Sequence, residues 1–149
     1  MPNFIYNSYL RHMLSGTIDL VTDSIYVALV SGSYNATLGQ TGHSSYANIS
    51  STEVTDPLNS YKAGGQLLAS KTITLNGNNA VFDAADVTWN TATITQASGA
   101  VLYVSGAGST PSQRHLISYI DLGVQSSTNG TFSIIWNNGG NGIFRVYGA

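Results

Sequence analysis

The sequence contains no cysteine, and only 8% of its 149 residues are Asp, Glu, Lys or Arg. Without cysteine there is no disulfide framework, no thiolate metal site and no thiol redox chemistry, so the fold must stand on packing or on assembly. A soluble domain usually carries about 25% charged residues. Here the polar surface must be built from Ser, Thr, Asn, Gln and Gly, which bind water but give little long-range repulsion between copies. Such a surface tolerates close association with other proteins. The five basic residues, Arg11, Lys62, Lys71, Arg114 and Arg145, are scattered in a chain of net charge −2. Nucleic-acid binding needs clustered phosphate neutralisation and is not expected. No apolar run approaches the ~18 residues of a membrane span. The N-terminal stretch MPNFIYNSYLRHML lacks a basic region followed by an apolar one, since Arg11 and His12 interrupt it, so no signal peptide is expected. A protein made in a cytoplasm, with no membrane partner, fits these absences.

What is present reads as β structure in one domain spanning 1–149, since domains most often run ~100–150 residues. Residues 1–23 form a helix or arm: Asn3 to Leu14 predicts a short amphipathic helix capped by Asn3 and stopped at Gly16, with Phe4, Tyr6, Tyr9, Leu10, Met13 and Leu14 approximating a stripe. Ser24 to Val30 (SIYVALV) predicts a strand buried on both faces. Residues 31–60 are almost all small or polar and read as a long polar loop, functional or disordered. From Tyr61 to Thr95 come a double-glycine corner, a strand over Gln66 to Leu75 with a bulge near Ser70, a hairpin turn at Asn76 to Asn79, a return strand over Ala80 to Phe82 and an acidic corner at Asp83 to Asp86. Further strands are expected at Val87–Trp89, Ala92–Gln96, Ala100–Ser105, Leu116–Leu122, Thr131–Trp136 and Ile143–Tyr147. Turn signals separate them at 106–113, 125–130 and 137–142. Roughly nine short strands and one N-terminal helix predict a mainly β fold, an antiparallel β-sandwich of jelly-roll or immunoglobulin-like type.

Catalytic chemistry finds no constellation. There is no GxSxG elbow, no HExxH spacing among His12, His43 and His115, and no Lys-Ser or Lys-Thr pair opening a helix after Gly64 and Gly65. Asp83 and Asp86 either cap a turn or ligate a cation, although the DxDxDG spacing is missing. Trp89 and Trp136 serve either the core or, if exposed together on one face, a sugar-binding platform. The expectation is a protein that is not an enzyme and that carries no cofactor, metal or catalytic residue.

Taken in order, SIYVALV, YKAGG at Tyr61–Gly65, VFDAADVTW at Val81–Trp89, LISYIDLG at Leu116–Gly123 and the NGTFSIIWN…GIF ending resemble a family of small tailed-bacteriophage virion proteins, the capsid cement or decoration proteins. The resemblance runs from the N-terminal helix to Phe144. The chain departs from the family pattern in the TDPLNSYKAGG approach to the double glycine and in the Arg of FRVYGA. The resemblance implies a structural protein, made in the bacterial cytoplasm, that docks on the capsid exterior of the virion. It would bind the major capsid protein as a homo-oligomer, dimer or trimer. The alternative is a minor tail protein or a receptor- or glycan-binding virion module. Candidate contact residues are Phe4, Tyr6, Tyr9 and Arg11 in the N-terminal segment, and Tyr34, His43, Tyr46 and Glu53 in the long loop. The bland reading of Phe4 and Tyr9 is that they pack on their own sandwich.

Overall fold

The computed structural model describes residues 3–136 and 140–148. Two antiparallel sheets form a β-sandwich. The larger runs in the order β1 (Phe4–Ile5), β7 (Leu116–Ile134), β6 (Val87–Val104), β2 (Ile25–Ser31) and β3 (Gln66–Leu67). The smaller runs β4 (Thr72–Asn76), β5 (Asn79–Asp83) and β8 (Phe144–Tyr147). Two helices, α1 (Asn7–Ser15) and α2 (Ala36–Gly42), complete the regular structure.

β2 is buried on both faces, as its composition predicts. Val27 and Leu29 point one way, Ala28 and Val30 the other, and all are fully buried. The register aligns Tyr26 with Tyr103, and Ala28 with Val101 and Tyr119. That face is covered by the 31–65 segment, because Tyr34 packs on Tyr119 and Tyr46 on Tyr103. The opposite face, carrying Val27, Leu29 and Leu102, shares the core with Leu68, Phe82 and Ile143.

Several expected boundaries shift. The helix begins at Asn7, with Tyr6 at its N-cap and no side-chain cap. Phe4 and Ile5 pair instead with Tyr119 and Ser118 as β1. Asn3 is not a helix cap: its side chain accepts the Asp121 N–H at 2.8 Å and clasps the end of that strand pair. Stacking wins over helix propensity here, since the Phe4 ring lies 5.1 Å from both Tyr6 and Tyr119. Gly16 does end the helix, at φ +68°.

The 31–60 segment is no structureless loop. It holds α2 and the 3₁₀ turns Tyr46–Asn48 and Ser50–Thr52. Short polar side chains make these turns: Asn35 Oδ1 caps α2 by accepting the Leu38 N–H, and Ser45 and Asn48 form a reciprocal capping box. Local capping leaves no hydrophobic period in the sequence.

The strand expected over Gln66–Leu75 is broken at Ser70, which takes φ +52°, and its halves lie in different sheets. Conversely, the three strands expected between Val87 and Ser105 are one, and the turn expected at 125–130 lies inside β7. The long β6–β7 ladder absorbs these residues through register shifts, with Thr91, Gln96 and Asn129 at positive φ. At the irregular points side chains replace backbone partners. Ile94 N–H donates to Ser127 Oγ, Gln96 N–H to Ser126 Oγ, and Asn129 N–H to Thr93 Oγ1. Of the turn expected at 137–142, residues 137–139 lie outside those described.

The double glycine has a steric reason. Gly65 sits at φ +74°, and a Cβ there would lie 1.8 Å from the Val27 carbonyl oxygen. Gly65→Ala should therefore lose roughly 3 kcal/mol or more in urea unfolding. Gly106→Ala, which meets nothing within 4 Å, should cost no more than about 0.5 kcal/mol. Equal stability of the two variants would contradict the close approach of the corner to β2.

Candidate functional site

Six of the eight candidate contact residues gather into two clusters, and Tyr9 and Arg11 lie apart. In the first, the hydroxyls of Tyr6 and Tyr34 lie 2.7 Å apart, and Tyr34 Oη lies 3.2 Å from His43 Nδ1. Phe4 and Tyr119 stack beside them. α2 approaches closely enough that a Cβ on Gly39 would lie 2.2 Å from the Tyr34 hydroxyl. Tyr6 is fully buried and Tyr34 nearly so.

The second cluster is built on Glu53. An isolated bridge places it beside Val30 at the edge of β2, and the Val54 N–H donates to Leu29 O at 2.9 Å. Its carboxylate accepts hydrogen bonds from the hydroxyls of Tyr46 and Tyr61 and, at 2.7 Å, from the Gly64 N–H. Tyr61 Oη in turn accepts the Leu29 N–H at 2.9 Å, and Tyr103 Oη donates to Gly64 O at 2.6 Å. The carboxylate joins the first 3₁₀ turn to the double-glycine corner, and Tyr61, Val54 and Tyr103 carry the network on to β2 and β6. The Arg114 guanidinium lies over the Tyr46 ring at 5.6 Å, and its Nη2 donates to Ser109 O at 3.0 Å.

A neighbouring acid pins the next loop. Asp56 accepts the backbone N–H groups of Leu58, Ser60, Tyr61 and Thr93. Partial burial pushes its pKa up, but these donors together outweigh that and hold it below the usual carboxylate range. At the acidic corner, Asp83 Oδ1 accepts the adjacent Ala84 N–H, whereas Asp86 Oδ1 accepts the N–H of Trp136 beyond the end of β7, each at 2.9 Å, so only Asp83 bonds within the corner.

Placement therefore differs from a presented contact surface. Tyr6, Tyr9, Tyr34 and Tyr46 are buried, while Phe4, His43 and Glu53 are half-buried within these networks. Tyr9 packs on its own protein beside Ile18, Leu20 and Phe82. Only Arg11 stands exposed. His12 and His115 do meet, with ring centroids 4.3 Å apart, and His12 Nδ1 lies 2.8 Å from Thr17 Oγ1. Burial, His115 and Arg11 lower the His12 pKa. Among the described residues no group of three His, Cys, Asp or Glu side chains converges on a metal site. No helix among them is long and apolar enough to cross a membrane. Trp89 and Trp136 are each 4% exposed, Trp89 between Tyr61 and Phe132, and Trp136 with its Nε1 donating to Ala85 O at 2.9 Å. Neither offers a stacking platform. Tyr61, Tyr103, Tyr119 and Asp56 complete the networks. Their sequence signal was only the nine tyrosines of a chain short of charge.

No protein-family model, no curated protein and no solved structure matches the chain.

Two expected outcomes test the networks. Glu53→Ala leaves two phenols and an amide without their acceptor, so it should lose about 2–4 kcal/mol in urea unfolding. Tyr46→Phe, which removes one donor, should lose about 1 kcal/mol; the reverse order would remove Glu53 from the centre.

Burial pushes the phenols of Tyr6, Tyr9, Tyr34, Tyr46, Tyr61, Tyr103 and Tyr119 upward, Tyr9 to about 12. Their folded-state pKa values exceed those of the unfolded chain, so the stability is complete below pH ~10 and is lost as pH rises. Each such group removes about 1.4 kcal/mol per pH unit above that point. A few suffice to unfold a domain worth about 5–15 kcal/mol between roughly pH 11 and 12. Tyrosinate absorbance should rise together with loss of the circular dichroism signal. Ionisation near pH 10 with the fold intact would show the phenols to be open to solvent.

Proposed function

We propose that the protein is a structural virion protein that binds the outside of a tailed-phage capsid and stabilises it as cement, docking on the major capsid protein as a homo-oligomer. The sequence resemblance supplies the family. The observation that carries the reading is a β-sandwich presenting large apolar side chains in a chain with very little charge. Leu14 of α1 is 88% exposed, Leu38 of α2 65%, Leu75 of β4 83%, Val124 of β7 67% and Ile135 71%. These lie on separate elements, which suits many small contacts on a repetitive lattice; affinity then grows by simultaneous engagement. Low net charge removes the long-range repulsion that would oppose dense coverage of a shell.

Contact elements in this reading are exposed apolar positions and Arg11. The buried tyrosines act as the frame that holds them. A glycan-binding module is the weaker reading, because both tryptophans are spent in the core.

Titrating the protein onto undecorated capsids should give saturable binding at a fixed stoichiometry per capsomer and raise the temperature at which the shell releases DNA. Indifference to capsids, together with binding to tail structures or host-surface glycans, would sink the cement reading.

A further inference from the structure

β4 is an edge strand with every residue exposed. Natural edges are usually blunted by a charge, a proline or a bulge. From Thr72 to Phe82 the hairpin TITLNGNNAVF has none of the first two, and no register shift interrupts its ladder. Gly77 takes φ +60° and Asn78 does not, the type II′ pattern that closes a two-residue hairpin on the pair Asn76–Asn79. In such a hairpin the closing pair exchanges hydrogen bonds, and backbone groups alternate in direction along the strand. Asn76, Thr74 and Thr72 therefore bond inward to β5. The N–H and C=O groups of Ile73 and Leu75 point outward, and among the described residues no strand takes them.

The side chains of the same two residues are also uncovered, Ile73 at 51% and Leu75 at 83% exposure. Their register aligns Ile73 with Phe82 and Phe144, and Leu75 with Ala80 and Val146. One face of the small sheet is thus apolar across all three strands. It opens into a groove of about 410 Å³ lined by Ile73, Ala80, Phe82 and Val146 together with Met13 and Ile18.

We infer that β4 pairs antiparallel with β4 of a second copy about a two-fold axis through Thr74, joining two small sheets into one of six strands. The edge is self-complementary in this register. The outward groups of Ile73 meet those of Leu75 of the second copy, and the reverse, giving two hydrogen-bonded pairs around a non-hydrogen-bonded Thr74–Thr74 pair. The apolar row then continues without a break from one copy into the other. Shifting the axis to Ile73 would set Lys71 against Leu75, and shifting it by half a residue would face outward groups with inward ones. No charge on the edge opposes a copy of itself, which is what a symmetric contact requires. Self-association belongs to the function proposed above; the edge and its register are additional, and they are tested on the protein alone, so their failure leaves the capsid titration untouched.

The absence of cysteine makes the test direct. Opposed residues in a non-hydrogen-bonded antiparallel pair have Cα atoms about 4.5 Å apart, inside the range a disulfide spans. Thr74→Cys should form a disulfide-linked dimer under mild oxidation. Thr72→Cys should not, because its two copies would lie about 14 Å apart, four residues along the strand at ~3.4 Å each. Wild-type protein should sediment at about twice 15.7 kDa across a micromolar series. Thr74→Lys, which juxtaposes like charges on the axis, should sediment as a monomer with the wild-type circular dichroism spectrum. A monomeric wild type, a trimer, or equal cross-linking at positions 72 and 74 overturns the proposal; if Thr74→Lys fails to fold, the cysteine pair alone decides.

Discussion

The Glu53 carboxylate is the constraint on which the covered face of the large sheet depends. It is among the few charges in the chain, and it lies where three donors from two stretches converge: Tyr46 of the first 3₁₀ turn, and Tyr61 and the Gly64 amide of the double-glycine corner. An acid in that position resists loss of any one partner, because a half-buried carboxylate that gives up a donor is left less well solvated than in water. The segment from 31 to 65 buries Tyr34, Tyr46, Ile49, Val54 and Tyr61 against the sheet. Hydrogen bonds to fixed points on β2 and β6 set where these side chains sit. They convert a polar stretch that would read as an arm into a lid. Asp56, with its four amide donors, extends the lid to Thr93 in the irregular middle of the β6–β7 ladder.

Tyrosine is the matching choice of donor. Its ring supplies apolar area while its hydroxyl reaches an acceptor, so one residue serves both the core and the network. In a chain with no disulfide and little charge, this combination takes over the role that ion pairs or cross-links fill elsewhere. The dependence has a cost at high pH, since the same phenols cannot ionise in place.

Legibility in the sequence followed the type of interaction. β2 was readable because SIYVALV carries its own pattern, and the Asn76–Asn79 turn because glycine at a turn is a local requirement. The fused strands β6 and β7 were not. Residues such as Gln125–Gly130 have turn composition, and bonds made by the side chains of Ser126, Ser127 and Thr93 across the ladder help to keep them in the sheet. That bonding is decided by a partner some 30 positions away and leaves no trace in local composition. The burial of several candidate contact residues was illegible for a related reason. Tyr34 and Tyr46 were singled out as aromatic residues in a polar loop and Tyr6 as part of the N-terminal segment, yet all three are buried. Their exposure was a property of the lid, and the lid is held by Glu53, whose sequence neighbours say nothing about Tyr61 or Gly64.

Folding the arms changes what an assembly role would have to use. A cement protein with flexible arms gains its contacts by ordering them and loses conformational entropy in doing so. Here the ordering is already complete within the monomer, so a partner would meet preformed edges and isolated apolar side chains. Such contacts are individually weak and lose little entropy on forming, which makes affinity depend on how many are engaged at once. An unblunted edge such as β4 is then informative in its own right. It is a hazard for a protein that must remain alone in solution, and it is tolerable in one whose edge is covered in its working state.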